Sequence, residues 1–295
     1  MTTDAARLTV VTSTSPTRRK VMSVIAHVLL IGASIVMLYP LLWLLAASFR
    51  PENEIFTSGV SVLPSVNWNF DSYIRGWNGL RVGFGQLFIN SFVISILSVI
   101  GNVIACSLAA YAFARLEFAG RRFWFAMMLM TLMLPYQVTL IPQYVFFLNL
   151  GWVNTILPLV VPKFLAADAF FIFLMVQFFR GLPKELDEAA RMDGAGPWRI
   201  YWKIILPLST PVLATAAIFT FIWTWDDFFG PLIYLSDLRQ YTVMLGLRTF
   251  TDNTGMSDYG GMFAMSVLSL VPIFVFFMLF QRLLIEGIAT TGMKR

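Results

Sequence analysis

Long apolar runs divided by short polar stretches dominate this chain. Residues 21–49 contain no acidic or basic side chain apart from His27, and residues 82–114 contain no Asp, Glu, Lys or Arg. Residues 123–162 are equally free of charge but, at 40 residues, too long for one crossing. A membrane-spanning helix needs about 20 mostly apolar residues. The stretch NLGWVNT (149–155) carries the Gly and Asn residues that suit a turn, which divides this run in two. The pattern predicts an all-α polytopic membrane protein with six spans, near 21–48, 86–113, 123–146, 156–179, 207–233 and 260–282. Residues 1–20 and 286–295 are then terminal tails flanking a transmembrane domain over 21–285. The first apolar run, at 29 residues, exceeds the 7–15 residues typical of a signal-peptide core, which favours an uncleaved anchor.

Composition agrees with lipid as the surrounding solvent. Hydrophobic residues make up 58% and charged residues 13%, about half the charged share of a soluble domain. The mean hydropathy is +0.74. The net charge of +5 is not gathered in a stripe, so no nucleic-acid partner is expected. With six spans both termini lie on one side. Fifteen of the 21 basic residues fall on that side and five on the other, with Lys163 inside the fourth span. The positive-inside bias therefore places both termini in the cytoplasm. A single cysteine, Cys106, excludes an intrachain disulfide.

One polar segment stands out against this background, EAARMDGAGPWRIYWKIILP (188–207), in a cytoplasmic loop over 180–206. Pro183 suits a first helical position, and Glu185, Asp187 and Glu188 crowd the first turns, where the helix dipole favours negative charge. Gly194 is suited to the left-handed conformation that closes a helix. A short helix over 183–193 is expected, followed by a second one starting at Pro197. Ten residues are marginal as a free helix, so this one needs a packing partner. That partner is either another protein or its own bundle, in which case the segment is an amphipathic connector at the membrane surface.

The order Glu188-Ala189-Ala190, Gly194, Ile204, Leu206-Pro207 resembles the EAA loop of permease subunits of bacterial ABC importers. RLEFAGRR (115–122), FFRGLPKELDEAA (178–190), TWDDFFGPLIYL (224–235) and EGIATTGMKR (286–295) are similar to stretches of the carbohydrate-type permeases, the last to the tail of the smaller maltose-type permease. Asp226 stands where that family usually has Asn. The resemblance implies a type I ABC importer permease fold in a bacterial inner membrane. It implies a second permease subunit, an ABC ATPase dimer and an external solute-binding protein as partners. It further implies a coupling role toward the ATPase for Glu188, Ala189, Ala190, Asp193, Gly194 and Ala195. ATP and Mg would belong to the ATPase. This chain has no Gly-x-x-x-x-Gly-Lys-Ser/Thr phosphate loop, and neither a cofactor nor a metal is expected in it.

Charges and kinks inside spans are the candidates for a solute pathway. Asp168 follows Lys163 by five residues, about 140° around a helix, so the two are expected to be poor partners. Asp226 and Asp227 are adjacent, so at most one faces a central path. A sugar would hydrogen-bond a carboxylate and stack on Trp223 or Trp225. Alternatively these residues form a structural bend near Gly230-Pro231. Pro135 and Pro142, with Gln137 and Gln143, interrupt the third span. The implied solute class runs from oligosaccharides and monosaccharides to polyols and glycerol phosphates. An ion-coupled secondary transporter using Asp168 and Asp226 is the alternative. A membrane enzyme is disfavoured by the single His and by the absence of His-Glu-x-x-His and Gly-x-Ser-x-Gly motifs.

Overall fold

A computed structural model describes residues 16–57, 59, 61–62, 67–251 and 257–292. The described residues form helices joined by turns and loops and carry no strand. The first helices are α1 (Pro16–Ser48), α2 (Asp71–Asn78), α3 (Phe84–Arg115), α4 (Arg121–Thr131), α5 (Tyr136–Asn149) and α6 (Leu157–Val160). They are followed by α7 (Ala169–Gly181), α8 (Glu185–Met192), α9 (Pro197–Ile200) and α10 (Leu206–Leu208). The last are α11 (Thr210–Trp225), α12 (Phe229–Tyr234), α13 (Val243–Leu247) and α14 (Tyr259–Gly292).

The central element is α3. Its 32 residues give it a length of about 48 Å, enough to cross a bilayer with its interfaces. It packs against α7, α11 and the 3-10 turn Val161–Leu165. Small and polar residues line its inner face, with Ser91, Ser95, Ser98, Gly101, Asn102 and Ser107 all buried. Small side chains permit the close helix approach that drives association in lipid. At Gly101 an added Cβ would lie 2.5 Å from the Phe164 ring. Asn102 Nδ2 donates to Thr220 Oγ1 of α11 at 2.8 Å, a buried cross-helix tie. One apolar core surrounds the C-terminal half of α3 with α7 and residues 200–216. A second joins its first turns to Phe221, Trp225, Val243 and Met265.

Six spans were expected, and four stretches are long and apolar enough to cross without a sharp bend: Lys20–Ser48, Phe84–Arg115, Leu157–Gly181 and Tyr259–Arg282. The other two are bent pairs, so that the number reaches six when each pair counts as one span. The third predicted span bends by 99° between α4 and α5. Helix α4 stops at Thr131, and Pro135, with an extended backbone of φ −61 and ψ 133, immediately precedes α5. The fifth bends by 76° after Leu208. Here the π-turn Tyr201–Ile205 precedes Pro207, Ser209 leaves helical geometry, and Pro211 restarts the helix. The fourth is irregular, breaking at Ala166 with a left-handed φ of 52. The last helix runs on to Gly292, beyond the expected 282, and takes in most of the predicted C-terminal tail. Residues 1–15 and 293–295 lie outside the described residues.

The first and last described helices meet. No residue in the most apolar window of α1 is buried, and α1 touches the rest of the protein through α14, with Trp43 edge-on to Phe263 at 5.5 Å. Beyond α1, Glu52 accepts the backbone N–H groups of Tyr259 and Gly260 at 2.8 and 3.1 Å. Arg75 of α2 bridges Glu52 and Asp258 at 3.3 and 3.5 Å.

Candidate functional site

Two groups of candidate residues lie at opposite parts of α3. At its C-terminal end, α8 forms over Glu185–Met192, two residues later than expected, with Pro183 just outside the helix. Three acids occupy its first turn and Arg191 its last, the order the helix dipole favours. Gly194 has φ 77, and its N–H bonds to the Arg191 carbonyl at 3.0 Å. The Ala195 N–H bonds to the Ala190 carbonyl at 2.9 Å, and α9 begins at Pro197. Glu188, Ala189, Asp193 and Gly194 are exposed. Ala190 and Ala195 instead pack partly against the protein's own core. The helix has its packing partner within the chain, on one side only.

That partner is α3, through contacts the sequence did not single out. Arg115 Nη1 and Asp187 Oδ2 form an ion pair at 3.2 Å, with side chains only 3% and 9% exposed. Arg115 Nη2 also donates to the Leu182 carbonyl at 2.9 Å. Tyr111 Oη donates to the Pro197 carbonyl at 3.0 Å, and the Tyr201 and Ser107 hydroxyls meet at 2.7 Å. Arg180 lies over the Phe125 ring, 5.2 Å from its centroid, where the ring quadrupole attracts a cation. Helix α3 thus holds α8, the following turn and α9 through side chains at 107, 111 and 115, spaced by four residues and so on one face. Sequence alone gave Asp187 a dipole role and Arg115 a place in a basic turn. Both lie in polar stretches 72 residues apart, and no local signal pairs them.

The second group surrounds a cavity of about 880 Å³. Its walls come from α5, the turn after it, the α6–3-10 stretch, and the region from α11 to α12. Gly151 and Asn154 take φ 68 and 63 in the 149–155 turn. Asn154 Oδ1 accepts the N–H groups of Ser236 and Asp237, both at 3.0 Å, closing one end of the wall. Trp152 stacks on Phe147 at 5.7 Å, and Phe147 meets Tyr234 edge-on at 5.5 Å. Trp223, half exposed, lies against Phe171 at 5.3 Å. Lys163, Asp227 and Tyr234 supply polar groups among these rings.

The predicted pathway residues divide sharply. Trp223 and Asp227 line the cavity. Trp225 does not: it is 1% exposed, its Nε1 donates to the Ser269 carbonyl at 3.0 Å, and Phe92 and Phe221 pack on its ring. It is a core residue. Asp226 is exposed outside the cavity lining, and Gln137 is exposed beside Tyr136, which does line it together with Gln143. Asp168 lies behind the wall, half-buried, and pairs with Lys163 at 3.5 Å. This corrects the expectation that the two are poor partners. The left-handed Ala166 interrupts the helix between them and removes the 140° separation of a regular helix. Among the described residues no three His, Cys, Asp or Glu side chains are placed to hold a metal ion.

Taken together, the bent spans, the clamped polar loop and the cavity between helices define a multi-helix membrane permease. A solved bacterial ABC transporter involved in import of the acidic polysaccharide alginate has a chain with the same fold, at TM-score 0.80 and 24% identity over 91% of this chain and 98% of that one. The family model for the binding-protein-dependent transport system inner membrane component matches residues 101–290, and the chain belongs to that family. The diacetylchitobiose uptake system permease protein NgcG of Streptomyces coelicolor is 34% identical over 88% of this chain and 84% of its own length. The arabinooligosaccharides transport system permease protein AraQ of Halalkalibacterium halodurans is 35% identical over 94% of this chain and 99% of its own. The chain is accordingly a multi-pass inner-membrane permease of the ABC-importer class.

Proposed function

We propose that this permease carries sugars or related polyols inward, forms half of the translocation pathway with a second permease subunit, and is driven by a separate ABC ATPase dimer. An external solute-binding protein delivers the solute. ATP and Mg are held by the ATPase, and this chain carries out no chemistry of its own. Both termini and the α8–α9 loop face the cytoplasm, in keeping with the excess of basic residues on that side.

The observation that carries this reading is the one-sided burial of α8. Its inner side is fixed to α3 by the Arg115–Asp187 pair and by Ala190, while Glu188, Ala189, Asp193 and Gly194 remain exposed. A short helix clamped to a membrane-length strut and open on its outer face suits a groove in the ATPase. Displacement of the groove is passed to α3 because the clamp lets α8 move only with it. Glu188 supplies the polar contact and Ala189 the close approach. Asp193, Gly194 and Ala195 set the angle between α8 and α9.

Reconstitution with the ATPase, the second permease and the binding protein tests this. Gly194→Pro and Ala189→Trp are expected to abolish uptake and binding-protein-stimulated ATP hydrolysis while membrane insertion persists. Coupling at the parent's level in both variants would sink the assignment. Solute uptake by this chain alone in liposomes would favour the ion-coupled alternative.

A further inference from the structure

The short helix α2 has two unlike sides. On one, Ser72 and Gly76 are buried, and a Cβ added at Gly76 would lie 2.9 Å from Met265 Cγ and 3.0 Å from the Gly261 carbonyl oxygen of α14. On the other, Phe70, Ile74 and Trp77 follow the i, i+4, i+7 spacing that lays an apolar stripe along a helix. All three are exposed, at 58%, 61% and 42%. The neighbouring Arg75 is drawn away from this stripe by Glu52 and Asp258. Trp68, also exposed, lengthens it by stacking on Phe49 at 4.8 Å, and Phe49 meets Phe70 edge-on at 5.3 Å. Phe49 directly follows α1, whose most apolar window has no buried residue. The exposed apolar surface of α1 therefore continues onto α2.

The height of α2 is fixed as well. Gly76 meets α14 within the first two turns of that helix, and Trp77 stacks on Phe88 at 5.9 Å in the second turn of α3. At 1.5 Å per residue the span Tyr259–Arg282 is about 36 Å long, more than the roughly 30 Å of a hydrocarbon core, so its first turn lies among headgroups. We propose that α2 is an interfacial helix whose exposed side binds phospholipid, with Trp68, Phe70, Ile74 and Trp77 at the boundary between headgroups and acyl chains. There it holds the ends of α3 and α14 at one level of the membrane. Two features select lipid as the occupant. The stripe is continuous with the apolar surface of a membrane-length helix, and its two indoles combine an apolar ring with a polar N–H, the pairing that suits a membrane–water interface. On the orientation proposed above, the leaflet is the outer one.

The test is a depth measurement on the full chain in nanodiscs of phosphatidylethanolamine and phosphatidylglycerol, alone and co-expressed with its second permease. A nitroxide is attached at Ile74→Cys or, as the polar-side control, at Asp71→Cys; Cys106 is buried and does not compete for the label. Collisions with oxygen report acyl chains, and collisions with a water-soluble nickel complex report water. The label at 74 is expected to favour oxygen and to lie about 5–10 Å inside the phosphates, in both samples. The label at 71 is expected to favour nickel. Brominated phospholipid gives a label-free check: Trp68→Phe is expected to lose part of the fluorescence that the lipid quenches in the parent. Depth is read without reference to sidedness, so failure of the proposed orientation leaves this result intact. Nickel access at 74 equal to that at 71 would overturn the proposal, as would undiminished quenching in Trp68→Phe. Shielding of 74 from both reagents in the co-expressed sample would assign the stripe to the protein partner instead and overturn it too.

Discussion

The clamp at Arg115–Asp187 and the pair at Lys163–Asp168 use the same chemistry in opposite settings. The first is nearly sealed, at 3% and 9% exposure and 3.2 Å; the second is open, at 33% and 19% and 3.5 Å. Breaking a buried ion pair leaves an uncompensated charge away from water. An open pair is screened and contributes little to stability, which leaves its groups available for other bonds. About 30 Å of α3 separates Arg115 from Ile94, which lines a small void with Lys163, Trp223 and Asp227. One helix therefore joins a rigid polar joint to an adaptable polar lining.

That contrast breaks most readily at the clamp. Arg115→Ala should destabilise the loop by about 3–5 kcal/mol, seen as faster hydrogen exchange at amides 185–192. The double variant Arg115→Met, Asp187→Leu should recover most of this, because paired apolar groups replace the pair without a stranded charge. Gly101→Ala sits between the two regions and pushes a Cβ into Phe164, two residues from the Ala166 break. It should cost about 1–3 kcal/mol by overpacking, lowering the thermal midpoint while leaving exchange at 185–192 unchanged. At Gly194 a Cβ meets open space, so Gly194→Ala should cost only the backbone strain of φ 77, about 1 kcal/mol. Lys163→Met should change stability, read from the thermal midpoint, by less than about 1 kcal/mol. A large loss there would show that the open pair is structural after all.

Much of the loop was legible because its signals are local. Gly194 needs φ above zero, Pro197 opens a helix, and the acids of α8 follow the dipole, all within a few residues. The apolar runs were legible for the same reason. The breaks inside them were less so: Pro135 marks the 99° bend, but nothing in VPKFLAADA predicts a left-handed Ala166, an uncommon conformation for a residue other than Gly. The consequence, Lys163 meeting Asp168, was therefore hidden. Trp225 and Trp223 look alike in sequence, two positions apart, and only packing against α14 separates a core ring from a cavity ring.

The seam between Glu52, Arg75, Asp258 and the start of α14 bears on how the protein is made. A chain emerging from the ribosome delivers α1 well before α14. Helix α1 has no buried face in its apolar window, so it can settle in lipid without waiting for the rest. Its attachment, however, is to residues some 200 positions later, such as Tyr259, Gly260 and Phe263. The subunit therefore closes on itself only once α14 has been made. Until then the carboxylate of Glu52 lacks the backbone donors of α14, and the rings of Phe221 and Trp225 lack the partners that α14 gives them at Phe276 and Ser269.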